Sequence, residues 1–148
     1  MTSSENQPMA DQRIPDLLRI PSVCRGISAE PLLGPLDVSH WCVEGGGGGL
    51  DWIVAGGESG PKARPCNIDW LRSLRDQARA SGAAFHCKQF GSDARQNTDG
   101  EMVPLSGPMS GMSNVRILNA PLLLRNKSGA DPDEWSEDMR VREWPKGF

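Results

Sequence analysis

The sequence predicts an α/β fold built on parallel strands, and three observations carry that expectation. Three short signatures each follow directly on a run that reads as a strand: Ser28-Ala29-Glu30-Pro31-Leu32-Leu33-Gly34-Pro35, Gly56-Gly57-Glu58-Ser59-Gly60 and Lys88-Gln89-Phe90-Gly91. Between Asp51 and Cys87 the pattern is strand, helix, strand, a unit that demands parallel strands and a right-handed crossover. In a parallel sheet the C-terminal strand ends share one rim, so Glu30, Glu58, Lys88 and Gln89 are expected to converge on one crevice.

Along the chain, Pro8 to Ile20 has apolar residues at roughly helical spacing, but Pro15 interrupts it, which predicts two short helical pieces meeting near Ile14. Val23 to Ala29 reads as a short strand weakened by Gly26. Its edge is expected to be exposed. Pro31 and Gly34-Pro35 favour a turn, after which Leu32, Leu33, Leu36, Val38 and Trp41 can pack the return path, with Trp41 as the anchor. Gly45 to Gly49 is a run of five glycines and reads as a surface insertion.

Asp51 to Gly57 reads as a buried strand ending in a glycine turn. Asn67 can cap a helix whose core face uses Trp70, Leu71, Leu74 and Ala78, with Gly82 as its stop. Ala83 to Cys87 is the next strand. Ser92 to Asn114 has no clear period, and Val115 to Leu124 is an apolar run broken by Asn119 and Pro121. Asp131-Pro132-Asp133-Glu134 is a helix start, with the helix expected to end near Met139. Trp135 and Trp144 are expected to dock this tail on the body.

Composition sets limits. The chain has 148 residues, 37% of them apolar, with 17 Gly and 12 Pro. This suits one domain whose core is smaller than its length implies. A formal net charge of −3, with both signs mixed, does not support nucleic-acid binding. The absence of a long apolar run and of an apolar leader predicts a cytoplasmic protein without a membrane partner. Cys24, Cys42, Cys66 and Cys87 are unevenly spaced with no Cys-x-x-Cys pair, so no metal site is expected, and Cys24 and Cys87 read as buried, inert thiols.

At the predicted rim, the glycines flanking Glu58 allow close backbone approach to a ligand; the competing reading has Glu58 solvated or paired with Arg64. Glu30 precedes Pro31, which keeps it at the strand end, and Lys88 or Arg64 can partner it. Lys62 and Arg64 add positive charge, and the mixture suits an anionic or zwitterionic small molecule. Neither His40 nor His86 has a triad-like spacing.

These residues resemble the C-terminal half of the bacteriophage "gene product thirty-seven/sixty-eight" family, radical-SAM-like proteins of phages and prophages. The resemblance rests on Ser4-Glu5-Asn6-Gln7, Arg13-Ile14-Pro15, Arg25, the three signatures, Asp51-Trp52-Ile53-Val54, Ala63-Arg64-Pro65, Asp69-Trp70 and Arg72 to Gln77. It resumes at Asp131-Pro132, Glu134-Trp135, Glu137-Asp138 and Arg140-Val141-Arg142.

The resemblance implies a partial parallel (β/α) barrel, half of a TIM-type radical-SAM-like barrel, over residues 1–91 with a glycine-rich insertion at 45–49. Residues 92–148 then form an irregular segment and a short C-terminal helix. It adds Glu5 and Asn6 to Glu30, Glu58, Lys88, Gln89 and Arg64 as residues facing cofactor or substrate. It also implies S-adenosylmethionine and a 4Fe-4S cluster, held largely by an N-terminal half whose Cys-x-x-Cys-Tyr-Ala motif has no counterpart in these 148 residues, which contain no tyrosine. No cofactor is therefore expected for this chain alone, and no radical chemistry. A separate N-terminal half-barrel is the partner this implies; the alternatives are an interaction module that completes a barrel and a small-molecule binding protein.

Overall fold

The structure is a computed structural model that describes residues 1–43, 48–97, 102–104, 112–114 and 120–145. Its centre is a four-stranded, all-parallel sheet in the order β1-β2-β3-β5, formed by β1 (Thr2–Ser3), β2 (Gly26–Ala29), β3 (Trp52–Gly56) and β5 (Ala84–Gln89). Helix α1 (Gln7–Leu18) connects β1 to β2, and α2 (Ile68–Ser81) precedes β5. The sheet is open among the described residues, so the expected α/β class with parallel strands holds while a closed barrel is not seen.

Strand alternation divides the sheet into two unlike faces. In register, Ile27, Ile53 and Phe85 form one row and Ala29, Ala55 and Cys87 the next; all are buried. They share a single core with Ala10, Ile14 and Leu17 of α1 and Leu71, Leu74 and Ala78 of α2. The opposite face carries Ser28, Val54 and His86, all half-buried.

Helix α1 is one helix, not two pieces. Pro15 lies inside it and removes one ladder hydrogen bond, a disruption worth ~3 kcal/mol. The buried stripe of Ala10, Ile14 and Leu17 continues across the interruption and offsets that cost, since each large side chain contributes about 1.5–3 kcal/mol on burial. The side chain of Asn6 caps the helix by accepting from the N–H of Met9 at 3.1 Å. Helix α2 follows the sequence expectation more closely. Asn67 accepts from Asp69 N at 2.9 Å, and Gly82 closes the helix with a left-handed φ of 78°. Trp70 sits at the edge of the core face, whose buried members are Ile68, Leu71, Leu74, Arg75 and Ala78.

The path between β2 and β3 packs as expected, with Leu32, Leu36, Val38 and Trp41 buried. Gln77 of α2 holds it at both ends of its amide: Oε1 accepts from Val38 N at 2.6 Å and Nε2 donates to Leu36 O at 3.0 Å. The glycine run lies partly outside the described residues, but Gly49 is a packed position, since a Cβ there would meet Trp41 O at 2.6 Å.

Strand β2 begins at Gly26 and not at Val23, and the edge expected to be exposed is paired with β1 at Ile27 and Ser28, with β3 on the other side. The far side of β5 is covered by the chain's own tail. Cys87 N donates to Val141 O at 2.8 Å and Glu143 N to Phe85 O at 2.9 Å, with His86 and Arg142 bridged antiparallel.

The segment after Gly91 holds more strand than its composition suggests. Strand β4 (Cys66–Asn67) pairs with β6 (Ala94–Gln96), which pairs with β9 (Ala120–Pro121), and β7 (Met102–Pro104) pairs antiparallel with β8 (Met112–Asn114). Residues 98–101, 105–111 and 115–119 lie outside the described residues. The expected C-terminal helix is instead two 3-10 turns, Pro132–Glu134 and Glu137–Met139. Between them Trp135 is extended, with Nε1 donating to Gly129 O at 2.9 Å and its ring stacked on Phe90 at 4.8 Å. Anchoring that indole breaks the helix. Trp144, by contrast, is 62% exposed.

Gly57 sets how closely the ends of β3 and β5 approach. A Cβ there would overlap Phe90 O and stand 2.9 Å from Cys66 Cβ, so it could be admitted only by shifting the backbone just past β5 and Cys66 on the following segment. Gly57→Ala is expected to lower stability by more than about 3 kcal/mol, read from the midpoint of urea unfolding. A loss below about 1 kcal/mol contradicts this packing.

Candidate functional site

Four strands of one direction end on one rim. Glu5 and Asn6 follow β1, Glu30 follows β2, Glu58 and Ser59 follow β3, and Lys88 and Gln89 end β5. Simple alternation would send Lys88 and Gln89 to opposite faces of the sheet. The register shifts between Ala55 and Gly56, so that Ala55 pairs with Cys87 but Gly56 pairs with Gln89. Lys88 is thus the extra residue of a bulge, which re-aims side chains at a strand end.

Both side chains reach Glu30 as a result. Lys88 Nζ donates to Glu30 Oε2 at 3.0 Å and lies 3.0 Å from Oε1. Gln89 Nε2 lies 3.3 Å from Glu30 Oε1, 2.9 Å from Gly57 O and 2.8 Å from Ser59 Oγ. Glu30 is the more enclosed partner, its side chain 18% exposed against 54% for Lys88. The peptide between Glu30 and Pro31 is cis, and Leu32 N donates to Gly56 O at 2.9 Å, tying this loop to β3.

Glu58 forms a second, tighter pair. Its Oε2 accepts from Arg64 N at 2.9 Å and Arg64 Nε at 2.8 Å, and its Oε1 accepts from Arg64 Nη2 at 2.9 Å. These bonds hold the Glu58 carboxyl down from its ordinary 4.5 to about 2, the side-chain bonds contributing most, and raise the Arg64 guanidinium in turn. The pairing with Arg64 that the sequence allows for Glu58 is present.

Glu5 is turned to α1, its Oε2 3.0 Å from Arg13 Nη1, though its charge still reaches Arg64. Asn6 is committed to the α1 cap. The rim therefore gathers Glu30, Lys88 and Gln89 in one cluster, with Glu58 and Arg64 on the next loop, Glu5 at its flank and Asn6 in a helix-capping role.

Sequence reasoning passed over Ser59, Arg13 and Arg142. Ser59 stood within a quoted signature, but only the bulge shows that Gln89 reaches it. Arg142 donates to Cys87 O and Lys88 O at 3.3 Å and lies over the Trp135 ring at 5.2 Å, bracing the bulge from behind. Nothing in the local pattern of residue 142 signals a position behind residue 88.

The thiols do not suit a thiolate-bound cluster. Burial pushes both Cys66 and Cys87 up to about 12, the charge of Cys66 adding to the effect on Cys87. Burial also raises Cys42 and Cys24. All four favour the protonated form, whereas metal ligation needs the thiolate. Cys87 is buried as expected, while Cys24, expected to be buried too, is only half-buried. Among the described residues no three His, Cys, Asp or Glu side chains are grouped to hold a metal ion.

Two hollows occur elsewhere, one along the outer side of α2 between Ser39, Arg72 and Ser81, the other at the N-terminal ends of β3 and β5. Neither includes the rim. No helix among the described residues is long and apolar enough to cross a membrane.

A family model described as "Protein of unknown function (DUF5131)" matches residues 1–140. The chain belongs to that family. No curated protein and no solved structure matches it. The matched span takes in the rim and the Trp135 anchor.

The paired carboxyl of Glu58 has a measurable consequence. Its folded-state value lies below the unfolded one, so the stabilisation from the Arg64 pair is complete above about pH 4.5 and is lost as pH falls through about 2. In a carbon-detected titration the Glu58 carboxyl is expected to stay ionised at pH 3.5. Arg64→Ala is expected to return its midpoint to near 4.5. A wild-type midpoint above about 4 contradicts the bidentate geometry.

Proposed function

We propose that this chain is the ligand-binding half of a (β/α) barrel, that its rim takes an anionic or zwitterionic small molecule, and that it performs no radical chemistry alone. The observation that carries this reading is the bulge at Lys88, which joins Glu30, Lys88, Gln89 and Ser59 in one hydrogen-bonded cluster. Support for the half-barrel comes from strands that follow one another in sequence order with one face buried under helices. In such an architecture ligands sit at the C-terminal strand ends.

The two ion pairs of the rim differ in what they can release. Glu58 and Arg64 share three hydrogen bonds and act as a fixed clamp that shapes the loop after β3. Glu30 and Lys88 are exchangeable, because a single ammonium on a flexible stem holds the carboxylate where Arg64 offers a bidentate fork and a backbone N–H. A ligand ammonium can replace Lys88 at Glu30, and a ligand carboxylate can then accept from the freed Lys88. That is the recognition chemistry of an α-amino-acid head group.

S-adenosylmethionine, the cofactor class implied by the resemblance to radical-SAM-like phage proteins, carries such a head group. Glu30, Lys88, Gln89 and Ser59 are the residues that would hold it, and when bound it supplies a sulfonium. A 4Fe-4S cluster does not fit the four dispersed, protonated thiols, and no step through a cluster is assigned to this chain.

S-adenosylmethionine, S-adenosylhomocysteine and methionine should each raise the unfolding temperature, with about 2.7 kcal/mol of stabilisation at a hundredfold excess over the dissociation constant. Lys88→Ala and Glu30→Gln should each weaken calorimetric binding about tenfold, whereas Arg13→Ala should leave it within about twofold. Unchanged stability with all three ligands, or equal affinity in Lys88→Ala, would overturn the reading.

A further inference from the structure

At the opposite end of the sheet from the rim lies a hollow of 570 Å³ that the proposed function leaves unused. Its walls are Trp144, Pro145, Val23, Val43 and Leu50, with Ala83 and Ala84 at the start of β5. Three of these are unusually open for apolar side chains: Val23 is 100% exposed, Trp144 62% and Val43 46%. Their grouping around one concavity is the kind of exposed apolar surface that marks a binding site rather than scattered surface hydrophobes.

Trp144 is a positioned wall. Its ring packs at 5.0 Å from Trp52 and 5.4 Å from His86, which leaves the rest of the indole free along the hollow. Such a face attracts cations through its quadrupole.

The charged groups described in the lining of the same hollow have one sign. Asp51 and Glu143 both line it, and no lysine, arginine or histidine is among its described lining residues. Each carboxylate has one oxygen fixed by a backbone N–H: Asp51 Oδ2 accepts from Arg25 N at 2.7 Å and Glu143 Oε2 from Phe85 N at 3.0 Å. Neither is in a described ion pair, and the second oxygen of each remains for another donor. The carboxylates are thus oriented by the fold and have no counter-charge among the described residues.

We propose that this hollow binds a small organic ammonium ion with an apolar body, the body lying against Trp144, Val23 and Val43 and the ammonium donating to Asp51 and Glu143. Charge complementarity decides the class. A neutral aromatic would leave both carboxylates unpaired, and an anion would be repelled by them.

Phenethylammonium and its neutral analogue 2-phenylethanol test this directly, with the indole N–H resonance of Trp144 as the readout in the full chain. Phenethylammonium is expected to shift that resonance saturably, and 2-phenylethanol to bind about tenfold more weakly. Asp51→Asn and Glu143→Gln keep the backbone-accepting oxygen but remove the charge, and each should weaken phenethylammonium about three- to fivefold. Raising the salt concentration should weaken it further. Equal affinity for the neutral analogue, insensitivity to both substitutions, or no shift of Trp144 at millimolar ligand overturns the proposal. The rim residues take no part, so each outcome is independent of the rim's own ligand.

Discussion

The close contact between Gly57 and the carbonyl of Phe90 is the constraint on which the rim depends. Because position 57 has no side chain, the end of β3 can lie against the end of β5, with Gly57 N donating to Gln89 O at 3.0 Å. That approach is accompanied by the register shift at Ala55, and the shift makes Lys88 the extra residue of a bulge. Without the bulge, Lys88 and Gln89 would face opposite sides of the sheet. The site chemistry therefore follows from a backbone contact: two neighbouring polar side chains converge on Glu30 because one glycine lets two strands meet.

The same corner is held from behind by the chain's last described stretch, residues 120–145. Phe90 N donates to Gly129 O, Trp135 stacks on Phe90, and Arg142 donates to the carbonyls of Cys87 and Lys88. The tail is fastened to α2 as well, through Asp138, whose carboxylate lies 2.6 Å from Arg75 Nη1 and 2.9 Å from Arg72 Nε. These guanidiniums hold the Asp138 carboxyl well below the usual carboxylate range despite its partial burial. Arg75 is nearly enclosed, its side chain 10% exposed, and it also pairs with Asp76 at 2.7 Å, so removing Asp138 would leave this enclosed charge with the exposed Asp76 as its carboxylate partner and would unfasten the tail from α2. Tail, helix and rim form one connected structure in which the irregular-looking segment supports the regular one.

How much of this was legible follows from where each signal lay. The βαβ unit, the Asn67 cap and the Gly82 stop are written in local periodicity and turn chemistry, and the structure shows them; of the four rim residues it joins Glu30, Lys88 and Gln89, while Glu58 pairs with Arg64 on the next loop. Pro15 misled because a local cost was outweighed by the non-local burial of Ala10, Ile14 and Leu17. The C-terminal helix start was correct in its cap, with Asp131 accepting from Asp133 N, but Trp135 left the helix to reach Phe90, a partner 45 residues earlier. The bulge at Lys88 has no sequence signature of its own. Ser59 and Arg142 became visible only once the strands were placed in register.

The central claim is that the Glu30–Lys88 pair opens to admit a zwitterionic head group while the Glu58–Arg64 clamp stays closed. A nitrogen-15 titration that follows the Lys88 ammonium, the Gln89 amide and the Arg64 Nε–H during addition of S-adenosylmethionine tests it most directly. The account predicts saturable shifts at Lys88 and Gln89 with a common midpoint, and an Arg64 Nε–H that stays bonded throughout. Shifts confined to Arg64, or none at Lys88 and Gln89, would contradict it.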